Sequence, residues 1–160
     1  MSEVCKCVIM IAIDPKGKLV LDANIIVGAI FGTRIRNVLE HPNFRWKIDA
    51  CCPAVILEEV ERKVPEIARN KCTNLDIYQN SLVSLKERIT VFSCQHIHKE
   101  AARARLASDA GDSNDWQVVA LALHLNCGIF SHDKDFWGAG VPVWSIDTVE
   151  RCLERGGLDL

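Results

Sequence analysis

Four acidic residues lie at the ends of predicted secondary-structure elements, where their carboxylates can act together. Asp22 directly ends an apolar strand, and Asp133 follows the apolar run at residues 127–130 by a few positions. Asp115 lies in the first turn of the helix that leads into that run, and Glu59 lies about two turns into another helix, roughly 9 Å from its start. In a parallel α/β fold, the carboxyl ends of strands and the amino ends of helices share one edge of the sheet. We therefore expect these four carboxylates to converge on that edge.

Four carboxylates in one place favour the binding of a divalent cation. Like charges held close together resist ionising, so such a cluster needs a compensating positive charge. Ligands that are all oxygen favour hard ions such as Mg²⁺ or Mn²⁺. One or two such ions can generate hydroxide from water, orient an in-line attack on phosphorus and stabilise the departing oxygen. The residue pattern therefore predicts a metal-dependent phosphodiesterase.

Several acids of the chain also have a purely structural interpretation. Asp112 is well placed as a helix N-cap, which is the preferred interpretation of Asp112 alone, and Asp115 would then stand at N3, where it favours the helix dipole. Other acids can simply face solvent or cap an element: Glu58, Glu59, Glu61 and Asp135. Asp22 is the hardest to explain structurally, because an Asp that directly ends an apolar strand often serves a site.

Strand candidates alternate with helical periodicity along the chain. The predicted strands cover residues 18–22, 45–51, 89–92, 127–130 and 141–144. Helices are predicted between them and after the last, with Pro65 expected to kink or end the helix that begins near Pro53. This alternation predicts an α/β fold, a three-layer α/β/α sandwich with a mainly parallel central sheet.

A chain of 160 residues fits one domain of ordinary size. We predict that residues 19–155 form this domain and that residues 156–160 are a tail. Residues 1–18 are predicted to be an N-terminal extension or an extra strand, because an apolar run at 8–13 precedes the turn signal DPKG and can form a hairpin with the next strand.

The composition, with 49% apolar and 25% charged residues, is typical of a soluble globular domain. A formal net charge of −2 excludes a broad basic coat but not local basic patches. The eight cysteines lack zinc-site spacing and no secretory signal precedes them, so we expect reduced thiols in the cytoplasm. No apolar run approaches the roughly 20 residues that span a bilayer, so no membrane contact is expected.

Several segments resemble the motifs of the PIN-domain family. Residues 19–24, LVLDAN, resemble its opening strand and D-x-N motif, and residues 56–60, ILEEV, resemble a short helical motif. Residues 112–123 resemble its acidic helix start, and residues 131–138, SHDKDFWG, resemble its long and specific carboxyl-terminal motif, followed by Gly140, Val141 and Trp144. The resemblance covers residues 19 to about 153.

The resemblance implies a PIN-like fold and a Mg²⁺- or Mn²⁺-dependent endoribonuclease. Bacterial and archaeal relatives are often VapC-like toxins of toxin–antitoxin pairs, often dimeric, each silenced by a cognate antitoxin. The expected partners are therefore RNA, an antitoxin protein and a second copy of the chain. Two alternatives stay open: a catalytically silent PIN-like module that binds RNA or protein, and a structure-specific DNA nuclease.

By position, the four family acids, which are both catalytic and metal-binding, match Asp22, Glu59, Asp115 and Asp133, with Glu58 as the alternative if the helix register shifts by one. The expected supporting residues are Asn24, Ser131, Asp112 and Asp135. Ser131 stands where Thr is usual in the family and keeps the hydroxyl. The candidates for contacts with the RNA are Trp137 by stacking and Lys134 and Arg36 by charge.

Overall fold

The computed structural model describes residues 16–93, 97–106 and 114–156, and these contain a five-stranded, entirely parallel sheet. Its strands are β1 (Gly17–Leu21), β2 (Ile48–Pro53), β3 (Ile89–Phe92), β4 (Gly128–Phe130) and β5 (Val143–Trp144), in the order β3-β2-β1-β4-β5. The chain builds outward from β1 through β2 to β3 and then returns to the other side of β1 for β4. The strand order thus reverses between β1 and β4, which is where open α/β sheets bind ligands.

Helices cover both faces of the sheet. They are α1 (Ala23–Phe31), α2 (Thr33–Glu40), α3 (Pro42–Lys47), α4 (Ala54–Asn70), α5 (Leu75–Lys86), α6 (Lys99–Arg105), α7 (Asp115–Leu125) and α8 (Ile146–Glu154). Helices α1, α4 and α5 pack on one another, and α2 contacts α1, α3 and α8. Helix α7 packs on β1, β2 and β4, and α6 packs against α7. The predicted α/β/α sandwich with a parallel sheet is confirmed.

The core consists of the strands and the helix faces packed on them. Leu19, Val20 and Leu21 of β1 are fully buried because the central strand is covered on both faces. In α7 every residue from Val118 to Ala122 is buried, since the sheet lies on one side of this helix and α6 on the other. Both elements that flank the strand reversal are therefore held rigidly.

The prediction of a strand over residues 45–51 was wrong in its first half. Helix α3 covers Pro42–Lys47, and β2 begins only at Ile48. Pro42 is the first residue of α3, where its fixed φ suits the first turn, and α2 ends just before it at Glu40. The His41 side chain accepts a hydrogen bond from the backbone N–H of Asn43, and Phe44 is buried against the core.

Pro65 neither ends nor breaks α4, which continues to Asn70. Val64 and Ala68, on either side of Pro65, are almost fully buried. The packing of this apolar stripe outweighs the loss of one intrahelical hydrogen bond at the proline.

The predicted amino-terminal strand falls on residues that the structure does not describe. Strand β1 is an inner strand, since Leu19 and Val20 pair with β2 on one side and with β4 on the other. Residues 1–15 and 157–160 lie outside the described residues; β1 begins at Gly17 and α8 ends at Glu154. In the described parts of the chain, no helix has both the length and the apolar character to cross a membrane.

Candidate active site

Asp22 and Ser131 lie side by side at the strand reversal. Each residue directly follows its strand, and the register pairs Leu21 of β1 with Phe130 of β4. The backbone N–H of Asp22 donates to the carbonyl of Phe130 over 3.2 Å, and the Ser131 hydroxyl donates to Oδ2 of Asp22 over 2.8 Å. Both side chains are almost completely buried, so this carboxylate is fixed by the sheet itself.

Burial makes the charge of Asp22 unfavourable. The pKa of Asp22 is raised from 3.8 to about 6, chiefly by burial and to a smaller extent by the nearby carboxylates of Asp115 and Asp133. Two hydrogen bonds act in the opposite direction, from the Ser131 hydroxyl and from the backbone N–H of Ala23, which donates to Oδ1 over 2.7 Å. Asp22 caps α1 through the second of these bonds. Because burial and the neighbouring carboxylates outweigh the two bonds, a positive charge close to Asp22 would stabilise its ionised form.

Ser131 also fixes the position of Asp133. The backbone N–H of Asp133 donates to the Ser131 Oγ over 2.9 Å. Oδ1 of Asp133 in turn accepts from the backbone N–H of Asp135 over 2.9 Å and so caps the 3₁₀ turn at Lys134–Phe136. A single hydroxyl therefore connects the acids that follow β1 and β4.

Asp115 is the first residue of α7 and is half-buried. The N-cap of this helix is Asn114, so Asp115 stands at N1 and not at the N3 position that an Asp112 cap would give it. Asp112 itself lies outside the described residues. The amino-terminal end of α7 nevertheless brings Asp115 to the edge where Asp22 lies, since both residues line the same cleft.

Glu59 approaches the same edge from α4. It forms an ion pair with Lys63 one turn later, and its side chain is 21% exposed. Glu58 is exposed and does not line the cleft that contains Asp22 and Glu59, and Glu61 pairs with Lys86 of α5. The register of α4 thus selects Glu59, and not Glu58, as the acid that faces the strand reversal.

These residues line one open cleft of about 430 Å³. Its lining consists of Asp22, Ala23, Asn24, Glu59, Arg62, Lys63, Asn114, Asp115 and Asp133. All four predicted acids and Asn24 are therefore brought together. Arg62 and Lys63 were not selected from the sequence, although their spacing of three and four residues from Glu59 places them on its helix face.

The donor chemistry of the cleft fits a hard divalent cation, because four carboxylates from four elements line it and the charge of Asp22 is left uncompensated. No three acidic, histidine or cysteine side chains of the described ranges are already arranged as a metal site. Asp22 and Asp133 are held by Ser131, whereas Glu59 is held by Lys63. To bind a metal ion through the paired oxygen, Glu59 would therefore have to release Lys63.

Four other candidates lie outside the lining of the cleft. Asp135 and Lys134 are exposed on the 3₁₀ turn that Asp133 caps, and Lys134 Nζ lies 5.9 Å from the ring centre of Trp137. Trp137 is 66% exposed. Arg36 instead donates to the carbonyls of Ala29 and Ile30 and so satisfies the end of α1. The interpretation of Arg36 as a phosphate contact is not supported by this position.

A larger groove of about 600 Å³ lies at the opposite edge of the sheet, between the starts of β1 and β4. Its lining includes Lys16, Lys18, Cys127 and Trp144 but no acid. Burial raises the pKa of the Cys127 thiol, and it raises that of Cys51 to about 11, so these cysteines stay neutral. The candidate acids therefore line the smaller cleft and not this groove.

Comparisons with known proteins agree with this fold. The family model described as PIN domain matches residues 20–154. A solved structure of VapBC2 from Rickettsia felis, bound to a DNA fragment from their promoter, contains a chain that is 16% identical, with a TM-score of 0.60 over 80% of this chain and 98% of that chain. A PilT N-terminus domain protein from Sulfolobus solfataricus P2 is 12% identical, with a TM-score of 0.47 over 89% and 95% of the two chains. Among curated proteins, no sequence matches this chain.

Proposed function

This chain belongs to the PIN-domain family, and from that premise we propose that it is a metal-dependent endoribonuclease that hydrolyses phosphodiester bonds. PIN domains are in general nucleases. The observation that carries the proposal is the cleft at the strand reversal. There the carboxylates that follow β1 and β4 meet those of α4 and α7, beside two cations. A neutral or purely structural surface has no need of four acids in one concavity.

Asp22, Glu59, Asp115 and Asp133 would hold Mg²⁺ or Mn²⁺. When bound, such an ion supplies Lewis acidity at phosphorus and lowers the pKa of water. The protein's own residues orient the carboxylates. Ser131 and the backbone N–H of Ala23 keep the Asp22 carboxylate oriented, since each holds one of its oxygens.

Arg62 and Lys63 supply positive charge on the same wall of the cleft. The phosphates of an RNA strand are bound chiefly by such side chains, whose contacts fix the position of the backbone without reading its sequence. We assign these two residues, in place of Arg36, to the phosphates near the bond that is cut.

In the cell, we propose that the chain is the toxin of a toxin–antitoxin pair, acting in the cytoplasm as a homodimer and silenced by an antitoxin. The fold likeness to a chain of VapBC2 supports this proposal. Induced expression in a bacterial host tests it: the wild type should arrest growth, and Asp133→Asn should not. Equal growth of the two strains at equal protein levels would contradict the toxin assignment.

One observation favours a second candidate, a catalytically silent binding module: Glu59 is held by Lys63, and the described acids form no ready-made metal site. Calorimetric titration with Mn²⁺ separates the two. Binding to the wild type and its loss in Asp22→Asn support the nuclease, whereas absence of binding to the wild type favours the silent module. Parallel assays on RNA and DNA oligonucleotides distinguish a ribonuclease from a DNA nuclease of the same chemistry.

A further inference from the structure

Lys63 is positioned to compete with a metal ion. Its ammonium pairs with the Glu59 carboxylate across one turn of α4, and both side chains line the acidic cleft. The other three acids of the cleft are positioned differently. The Ser131 hydroxyl donates to the Asp22 carboxylate and accepts from the backbone N–H of Asp133. Asp115 is the first residue of α7. Lys63 therefore acts directly on the Glu59 carboxylate.

The charges of the cleft make this pairing more than an ordinary surface contact. Four carboxylates and two cations line it, so the residues at this place carry an excess of negative charge. An ammonium paired with one carboxylate offsets part of this excess in the metal-free protein. It also occupies an oxygen that a divalent cation would need, because a carboxylate oxygen in a close ion pair is a poorer ligand for a second cation.

We propose, resting on the nuclease function above, that Lys63 is an exchangeable counter-ion: it holds Glu59 in the metal-free protein and passes to a substrate phosphate when Glu59 is used for a divalent cation. Lys63 is thus a positioning residue with two successive partners. The side chain is about half exposed, which leaves it free to turn from one partner to the other. Metal binding and RNA binding are therefore coupled through one ammonium group.

Two lysine and arginine residues nearby provide matched controls, Lys86 on α5 and Arg62 on α4. Lys86 makes the same type of ion pair with Glu61 of α4, but neither residue lines the cleft. Arg62 lines the cleft beside Lys63, so it has the same general effect on the field there but is not the partner of Glu59. Substitution by Met keeps an unbranched apolar stem of similar length and removes the charge in each case.

Calorimetric titration of the full chain with Mn²⁺ is the first measurement. Lys63→Met should bind Mn²⁺ about three- to tenfold more tightly than the wild type, because the competing ammonium is gone. Lys86→Met should match the wild type, and Arg62→Met should show a clearly smaller gain than Lys63→Met. Unchanged or weaker Mn²⁺ binding in Lys63→Met, or an equal gain in Arg62→Met, would overturn the proposal.

The second measurement is the split between KM and kcat for an RNA oligonucleotide at saturating Mn²⁺. Lys63→Met should raise KM at least about threefold, because a phosphate contact is lost, and Lys86→Met should leave KM unchanged. An unchanged KM in Lys63→Met would overturn the second half of the exchange. Failure of the wild type itself to bind Mn²⁺ would instead overturn the nuclease function, so the two failures are distinguishable.

Discussion

The Ser131 hydroxyl donates to Oδ2 of Asp22 over 2.8 Å, joining residues that are 109 positions apart in the chain. The same oxygen accepts the backbone N–H of Asp133. One hydroxyl therefore sets the distance between two of the four acids. Both hydrogen bonds need only the hydroxyl of this side chain, which Ser and Thr share.

Ser131→Ala should lower the free energy of unfolding by about 1–3 kcal/mol, because a buried carboxylate oxygen loses its donor. Ser131→Thr, which retains the hydroxyl, is the matched control and should stay much closer to the wild type. Urea denaturation at pH 7.5 measures both. Identical midpoints for the wild type and Ser131→Ala would show that this hydrogen bond does not hold Asp22.

Asp22 should make the metal-free protein less stable at pH 7.5 than at pH 5. Its pKa is raised to about 6 in the folded state, so the folded state favours the protonated form. The stabilisation from this proton is complete below about pH 3.8 and is lost as the pH rises through about 6. At pH 7.5 the loss is on the order of 2–3 kcal/mol.

Asp22→Asn should therefore be more stable than the wild type at pH 7.5 in the presence of a chelator, and this advantage should disappear near pH 4. Asn retains one oxygen for the Ala23 N–H and an amide group beside Ser131. Thermal denaturation across this pH range provides the comparison. Lower stability of Asp22→Asn at pH 7.5 would contradict the assignment of an uncompensated charge to Asp22.

Glu59→Gln and Glu58→Gln form a matched pair on adjacent positions of α4. Only Glu59 lines the cleft, while Glu58 is exposed. We expect kcat/KM for RNA to fall more than about tenfold in Glu59→Gln, a loss of about 1.4 kcal/mol or more in transition-state stabilisation. Glu58→Gln should match the wild type, and the reverse result would mean that the working register of α4 differs from the one described.

Trp137 should contribute to RNA binding by stacking on a base. It is 66% exposed, four residues after Asp133, with Lys134 over its ring. Stacking of a base on an aromatic side chain is worth about 1–3 kcal/mol, so Trp137→Ala should raise KM roughly fivefold or more. Trp46, which is 78% exposed on α3, is the control. Equal effects of Trp46→Ala and Trp137→Ala would remove Trp137 from the RNA-binding surface.

The sheet and the convergence of the acids were predictable because both depend on local patterns. Apolar runs such as that of β1 reveal a buried parallel strand, and an acid placed directly after such a run must lie at its carboxyl edge. In contrast, α3 was missed because the capping by His41 and the burial of Phe44 depend on tertiary contacts. Pro65 was misjudged for the same reason, since the packing of Val64 and Ala68 decides the length of α4.

The partners of the acids were not predictable from the sequence. The bond between Ser131 and Asp22 links two strands that meet only in the folded sheet. Arg36 was expected near the acids because basic residues can contact phosphates, but its position after α1 directs it to carbonyls at the end of that helix. The spacing of four residues permits a pair between Glu59 and Lys63, but the sequence does not show that this pair forms or that Lys63 lines the cleft.

Cleavage of an RNA oligonucleotide with and without Mn²⁺ tests the nuclease assignment most directly. The proteins to compare are the wild type, Asp22→Asn, Asp133→Asn and Asp76→Asn, the last being the same substitution at an exposed position on α5 outside the cleft. The wild type and Asp76→Asn should cleave only with the metal, and the two cleft variants should remain folded and inactive. Full metal-dependent cleavage by both Asp22→Asn and Asp133→Asn would contradict the account.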